Sequence, residues 1–530
     1  MVAADVSSVN KDVFQELENF GRYQTLQFIL ICLPLFVVSM SIVNYVFVAE
    51  DVNYRCRVPE CDGVNATVEV PLWWPEDPDT RCMRPVLDPS FNLTRGQCSN
   101  VTFLPIREEC TEWIYESENS VVAGLNLGCQ SWIATLVGSA HNSGMIASMI
   151  LTGWVADKVG RKPTVIICAI GGALGISKIF ITNYYIYLVV EFLESFLSSG
   201  LYTVGVVLLI EVAGDRKRVL AGVIFSYATY VGEVLFAFFA MGLKHWKYLI
   251  LVANVPSLFF IVYFFILRES TRWQMLRGKM DAAKETFKKI AKTNNLNISA
   301  KEIDDISDED LREKFNVLVQ KEKESLREIL RSKEIMVRLL VSSACFFSSS
   351  FVYCGLLVHS VFLPGNKYTN FALASLTSFP GDMLAFYTFN KFGRKVTLQY
   401  GYFATAVFIL AQAYTPHTLP WLKVALFLLG KFAVVVCFTG IFTYSMELFP
   451  TSIRGSLVGV GNTAARIGSM LSPLTPLLTS EIETLPSILF ASTVILAGLL
   501  LIFTPETKNM PLFDTIAQVE AYKAKNKSAA

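Results

Sequence analysis

The decisive stretch is Gly153-Trp154-Val155-Ala156-Asp157-Lys158-Val159-Gly160-Arg161-Lys162, because its form returns as Asn390-Lys391-Phe392-Gly393-Arg394-Lys395. Each copy closes an apolar run with a glycine and two adjacent cations. Two further echoes accompany it: Glu211-x6-Arg218 returns as Glu447-x6-Arg454, and Glu269-Ser270-Thr271 as Glu506-Thr507-Lys508. The three separations differ by only a few residues, which marks an internal repeat. The 530-residue chain therefore reads as two related halves.

Around these motifs lie long apolar runs, at about 24–49, 131–155, 163–182, 184–212, 219–241 and 248–267, then 336–361, 370–389, 396–414, 420–447, 455–479 and 485–504. With 53% hydrophobic and 17% charged residues and a mean hydropathy of +0.44, the solvent is a bilayer. Most soluble enzymes are excluded. A net charge of +1 leaves no basic surplus for a phosphate backbone, so no nucleic-acid partner is expected. The fold expected is an all-α membrane protein with twelve transmembrane helices in two six-helix pseudo-repeats.

Lysines and arginines gather at Lys158 to Lys162, Arg216 to Arg218, 268–335, Lys391 to Lys395 and the tail, all on one side if the N-terminus is cytosolic. The first twenty residues lack the basic flank and cleavage site of a secretory signal, so the start is expected to stay inside. The domains are then a cytosolic N-terminus (1–23), an N-terminal half (24–267) containing an external loop (50–130), a cytosolic central loop (268–335), a C-terminal half (336–504) and a cytosolic tail (505–530). A pair of amphipathic helices is expected in the central loop.

The loop 50–130 is acidic and holds Cys56, Cys61, Cys82, Cys98, Cys110 and Cys129, an even set in an oxidising compartment. Three disulfides follow, with the connectivity open. Asn65, Asn92 and Asn100 begin glycosylation sequons there, whereas the Asn297 and Asn526 sequons face the cytosol and are read as chance matches.

Six-helix halves repeated in this way resemble the major facilitator superfamily, with a substrate site between the halves near the midplane. Phe20-Gly21-Arg22-Tyr23-Gln24, the cysteine-rich loop, Tyr353-Cys354-Gly355-Leu356, Gly430-Lys431-Phe432, Glu447 to Arg454 and Ala465-Arg466-Ile467-Gly468-Ser469 resemble its organic cation, carnitine and organic anion transporter family, in an insect-type form. That resemblance implies a gate at Asp157, Arg161, Glu211, Arg218, Asn390, Arg394, Glu447 and Arg454. It implies plasma-membrane residence and no enzymatic activity. There are departures: Asn390 replaces an acid, Glu191 stands where an Arg is common, and Arg268 replaces a proline.

An ionisable group inside a span is a functional candidate by default. By helical rise, Arg466, Glu233 and Asp382 lie ~18, ~21 and ~12 Å from the cytosolic ends. Arg466 occupies a position where the resembling anion and carnitine transporters have Arg; Asp382 reverses the Lys of anion transporters, and Thr439 stands where cation transporters have Glu. Two acids and one base suit an amine or a zwitterion, the alternative being that Asp382 and Arg466 neutralise each other. Aromatic candidates for holding an ammonium are Tyr353, Phe438, Tyr202, Tyr230, Phe346 and Tyr444. His141 is a candidate for a coupling proton, against a plain core histidine.

Gly171 to Gly175 lacks a nucleotide-loop spacing and reads as close helix packing. No metal site or cofactor is expected, and with no Walker sequence an ATP-driven pump is set aside. The expected function is transport of small organic cations or zwitterions, carnitine- or carcinine-like amines, by alternating access, with Na+ or H+ left open as coupling ion. The rivals are an organic anion exchanger anchored on Arg466, and a transport-inactive receptor on the same fold.

Overall fold

The computed structural model describes residues 20–50, 52–63, 66–75, 79–89, 98–214, 217–243, 245–314, 326–450, 452–480, 482–508, 510, 513 and 515–521. Among the described residues, long helical segments organise it. The first half contains α1 Arg22–Val48, α2 Ser131–Val159, α3 Arg161–Phe180, α4 Tyr184–Ala213, α5 Arg218–Gly242 and α6 Trp246–Ile266. The second contains α7 Lys333–Phe362, α8 Lys367–Leu376 continuing as Ser378–Phe392, α9 Arg394–Ala413, α10 Pro420–Leu448, α11 Arg454–Leu471 continuing as a 3-10 turn, and α12 Leu485–Phe503.

Nine of these are long and apolar enough to cross a membrane. The other three, α2, α8 and α11, occupy the places where the sequence puts spans two, eight and eleven. They are the polar ones, carrying His141, Asn142, Asp382, Asn462 and Arg466. Helices that line a wet cavity dilute their apolar character in this way.

Local chemistry sets the helix ends. Asn183 starts α4 by accepting N–H bonds from Tyr185 and Ile186, and Asn366 starts α8 through Tyr368 and Thr369. The break in α8 at Thr377 precedes Pro380, which has no N–H to donate and is tolerated in the first turn of the renewed helix. That restart aims Asp382 inward. Helix pairs approach closely through glycine: Gly232 of α5 faces the Phe36 carbonyl of α1, and Gly468 of α11 faces the Phe347 carbonyl of α7. The same kind of contact thus recurs in both halves.

The cysteine-rich loop forms two antiparallel ribbons, β1 (Tyr54–Cys56) with β4 (Trp113–Tyr115), and β2 (Met83–Leu87) with β3 (Phe103–Glu109). Its six cysteines pair as Cys56–Cys110, Cys61–Cys98 and Cys82–Cys129. Beside them Arg55 and Asp62 form a buried bidentate pair at 2.6 and 2.9 Å. Asn100 is exposed, while Asn65 and Asn92 lie outside the described residues. Glycosidase treatment of protein made in a eukaryotic membrane is expected to increase gel mobility, and substituting all three asparagines to abolish that change.

Between the halves the expected amphipathic pair becomes several short helices, the longest being Met280–Asn294. Gly278 (φ 72°) and left-handed Asn295 break the chain, and Ser299 restarts it with a capping box. Met280, Ala283, Phe287 and Ile290 form the apolar face of the longest helix, and Asn294 docks it to α1 by accepting the Tyr23 N–H at 2.8 Å.

Candidate functional site

The two repeated glycine-and-cation motifs fold alike. Gly160 (φ 128°) and Gly393 (φ 104°) turn the chain between α2 and α3 and between α8 and α9. In the first turn Glu269 accepts N–H bonds from Arg161 and Lys162; in the second Glu506 accepts them from Arg394 and Lys395. A Cβ at either glycine would collide with that carboxylate, and anions are favoured at helix N-termini. Glu269 and Glu506 thus hold the turns, a role the sequence reading did not give them, although their repetition was visible.

The charged residues of these motifs pair within halves. Arg161 meets Asp157 at 3.0 Å and Glu211 at 3.5 Å, and Arg394 meets Glu447 at 3.0 Å. Arg454 donates to the Phe449 carbonyl. Asn390 is exposed, and the side chain of Arg218 lies outside the described residues. In this conformation the described pairs brace each half separately.

Contacts between halves gather toward the opposite end. Lys367 of α8 donates to both carboxylate oxygens of Glu50 at 2.6 and 2.8 Å. Phe47 stacks on Tyr368 and meets Phe371 edge-on, and Ser139 of α2 donates to the Met470 carbonyl of α11. These contacts close that end of the interface between the halves. Because the Glu50–Lys367 pair is partly exposed, it is worth at most about 1 kcal/mol. Glu50→Gln is therefore expected to shift the population toward the outward-open form by no more than about fivefold, read as the rate at which an external thiol reagent labels a cysteine placed in the outer vestibule.

Between these two ends lie the charged candidates. Asp382 accepts hydrogen bonds from Tyr230 (3.1 Å, α5) and Thr439 (2.5 Å, α10). Among the described residues it makes no ion pair with Arg466, so the mutual-neutralisation alternative fails in this conformation: Asp382 is already satisfied by two hydroxyls. Arg466 is half-buried, its Nε unpartnered, with Tyr202 and Cys354 as electrostatic neighbours. Glu233 is buried, with one carboxylate oxygen unpartnered.

The sequence reading gave Lys431 no place at this site. It is fully buried on α10, donates to the Tyr353 carbonyl at 2.8 Å, stands 3.1 Å from the centre of the Tyr353 ring and faces Glu233 electrostatically. The signal was available as a lysine more than two turns inside an apolar run. Two acids and one base thus become two acids and two bases.

The aromatic candidates separate by position. Tyr353 stacks on Phe438 at 5.1 Å, and Tyr230 and Tyr227 both pack against Phe379. Tyr202 meets Phe225 edge-on and leaves its hydroxyl unpartnered. Phe346 is sealed behind this layer, against Phe442 and Gly461. Tyr444 donates its hydroxyl to Thr504 Oγ1 or the Pro505 carbonyl, just past the end of α12.

The Major Facilitator Superfamily model matches residues 119–473. The chain is 28% identical to "Organic cation transporter protein" of Drosophila melanogaster, over 97% of this chain and 95% of that one. It is 28% identical to solute carrier family 22 member 1 of Bos taurus (97% and 93% covered) and 27% identical to member 6 of Oryctolagus cuniculus (96% and 94% covered). In fold it is similar to the inward-open xylose transporter XylE from E. coli, with a TM-score of 0.57 and 16% identity over 74% of this chain and 89% of that one. The repeated turns, the paired halves and these matches together make the chain a member of the Major Facilitator Superfamily, a family of membrane transporters rather than enzymes, on the side of its organic cation transporter and solute carrier family 22 proteins.

Proposed function

We propose that this protein carries small organic cations or zwitterions, amines of the carnitine or carcinine kind, across the plasma membrane by alternating access, as a twelve-span protein with both termini in the cytosol. The carrying observation is the charge balance of the central site. Glu233 and Lys431 largely offset each other across the halves, which leaves Asp382 and Arg466 as opposed charges near the aromatic wall of Tyr230, Tyr353 and Phe438. A plain anion meets Asp382, and a plain cation meets Arg466. A molecule with an ammonium and a carboxylate satisfies both, its ammonium also gaining cation–π contact.

Purified protein in liposomes tests this with the matched probes carnitine and choline. Saturable uptake, with carnitine held more tightly, is the expected result; trans-stimulated flux of carboxylates that carry no amine would favour an anion exchanger, and binding without flux a receptor. The gate residues Asp157, Arg161, Glu211, Arg218, Asn390, Arg394, Glu447 and Arg454 are proposed to set the rate at which the cytosolic ends exchange, their pairing within halves belonging to the state closed on the outside.

A further inference from the structure

Behind the central site, inside the first half, lies a second charged cluster that the transport reading does not use. Lys178 of α3 bridges Glu191 and Glu194 of α4 at 2.8 and 2.5 Å, and His141 Nδ1 of α2 meets Glu191 at 2.8 Å. All four are at most 1% exposed. With a neutral histidine, two carboxylates against one lysine leave a net charge of −1, and a buried uncompensated charge costs several kcal/mol. One further proton removes it.

Hydrogen bonding says where that proton sits. Asn254 of α6 donates its amide N–H to the Ile250 carbonyl, so its oxygen faces Ser41 of α1 at 2.6 Å. A hydroxyl has one hydrogen, and Ser41 gives it to Asn254. The Ser41 oxygen is then an acceptor toward Glu194 Oε1, 2.8 Å away, and only a protonated carboxyl donates there. With Glu194 neutral, each contact has one donor and one acceptor. His141 Nδ1–H and Lys178 bond the ionised Glu191, Lys178 also reaches Glu194 Oε2, and the Glu194 O–H bonds Ser41.

The cluster also lies next to the seam that opens and closes. His141 Nε2 has no hydrogen-bond partner and its ring is 6.1 Å from that of Tyr45 on α1. A Cβ on Gly138 of α2 would meet both the Tyr45 ring and Pro473 of α11, and the Ser139–Met470 bond between the halves is the next residue along. Tyr45 is half-buried and faces Glu233 electrostatically. Separation of α2 from α11 would uncover Tyr45 and then His141 Nε2; the closure seen here seals them.

We propose that the protein binds one exchangeable proton at Glu194, taken up through His141 when the outer side opens, and that its transport is thereby linked to a proton gradient. The groups facing Glu194 are Lys178 from α3, Glu191 and Tyr187 from α4, His141 from α2, and Ser41 from α1, with the neutral Asn254 from α6, while Tyr45 of α1 faces Glu191. In the net step an external hydronium ion gives its proton to a Glu194 carboxylate lone pair and leaves as water. The linkage rests on the transport reading; the protonated carboxyl does not.

Two measurements on the full-length protein decide it. Infrared spectra of the purified protein should contain a protonated-carboxyl C=O stretch that Glu194→Gln removes; an unchanged band pattern would show Glu194 ionised and overturn the site. In liposomes clamped at zero membrane potential, coupling of one proton per carnitine gives about tenfold accumulation or depletion per pH unit, the sign distinguishing cotransport from exchange. Glu194→Gln, whose amide N–H replaces the O–H toward Ser41, should still equilibrate carnitine but reach a ratio of one. A wild-type ratio of one despite uptake would overturn the linkage. If neither carnitine nor choline enters, the substrate assignment fails while the infrared band still decides the proton site. His141→Gln is the second variant: it keeps the Glu194 band and slows its exchange with deuterium.

Discussion

Arg466→Ala is expected to weaken carnitine at least about thirtyfold and leave choline within a few-fold of the native protein. Removing one partner of a desolvated, hydrogen-bonded charge contact costs about 2–5 kcal/mol, and the lower bound corresponds to that thirtyfold. In the structure Arg466 Nε has no hydrogen-bond partner, so the guanidinium is available to fork onto a carboxylate. Asp382→Asn should do the converse and weaken both ammonium probes, because the amide keeps contact with Tyr230 and Thr439 but loses the charge. Apparent affinities for the two probes in both variants are the measurement. Equal losses for carnitine and choline in both variants would defeat the zwitterion site.

Lys431→Met should be the most damaging single change at the site, lowering stability by about 3–5 kcal/mol, the usual cost of orphaning a buried charge. Methionine fills much of the lysine volume, so the loss reports Glu233 left without its facing cation rather than a cavity. Combining Lys431→Met with Glu233→Gln removes both charges and should recover most of the stability. Thermal unfolding of the purified single and double variants separates pairing from packing. A double variant as unstable as Lys431→Met alone would show that the lysine acts through its contacts with Tyr353, at 2.8 Å to the carbonyl and over the ring, and not through Glu233.

Much of this molecule was legible in one dimension. The repeat of Asp157 to Lys162 in Asn390 to Lys395 predicted two halves, and the structure gives both motifs the same glycine turn held by a carboxylate. Six cysteines in one acidic loop predicted three disulfides. These readings succeed because each depends on a period, a composition or a count, which survive projection onto a string. The role of Glu191 was less legible. It was noted only as standing where an arginine is common, and the structure pairs it with Lys178 of the neighbouring helix.

What the sequence determined alone was the solvent, the two-half plan, the disulfide bonding of the cysteine-rich loop and the presence of Arg466, Asp382 and Glu233 within apolar helices, because burying charge in a bilayer is costly wherever the chain runs. Tertiary structure decided which charges meet. Asp382 turns to Tyr230 and Thr439, Lys431 turns to Tyr353 opposite Glu233, Glu50 closes on Lys367, and Tyr444 bonds the Pro505 carbonyl beyond the end of α12. The physical reason is that pairing energy falls off over a few ångströms, and such distances between helices far apart in sequence are set by how their side chains and glycines pack.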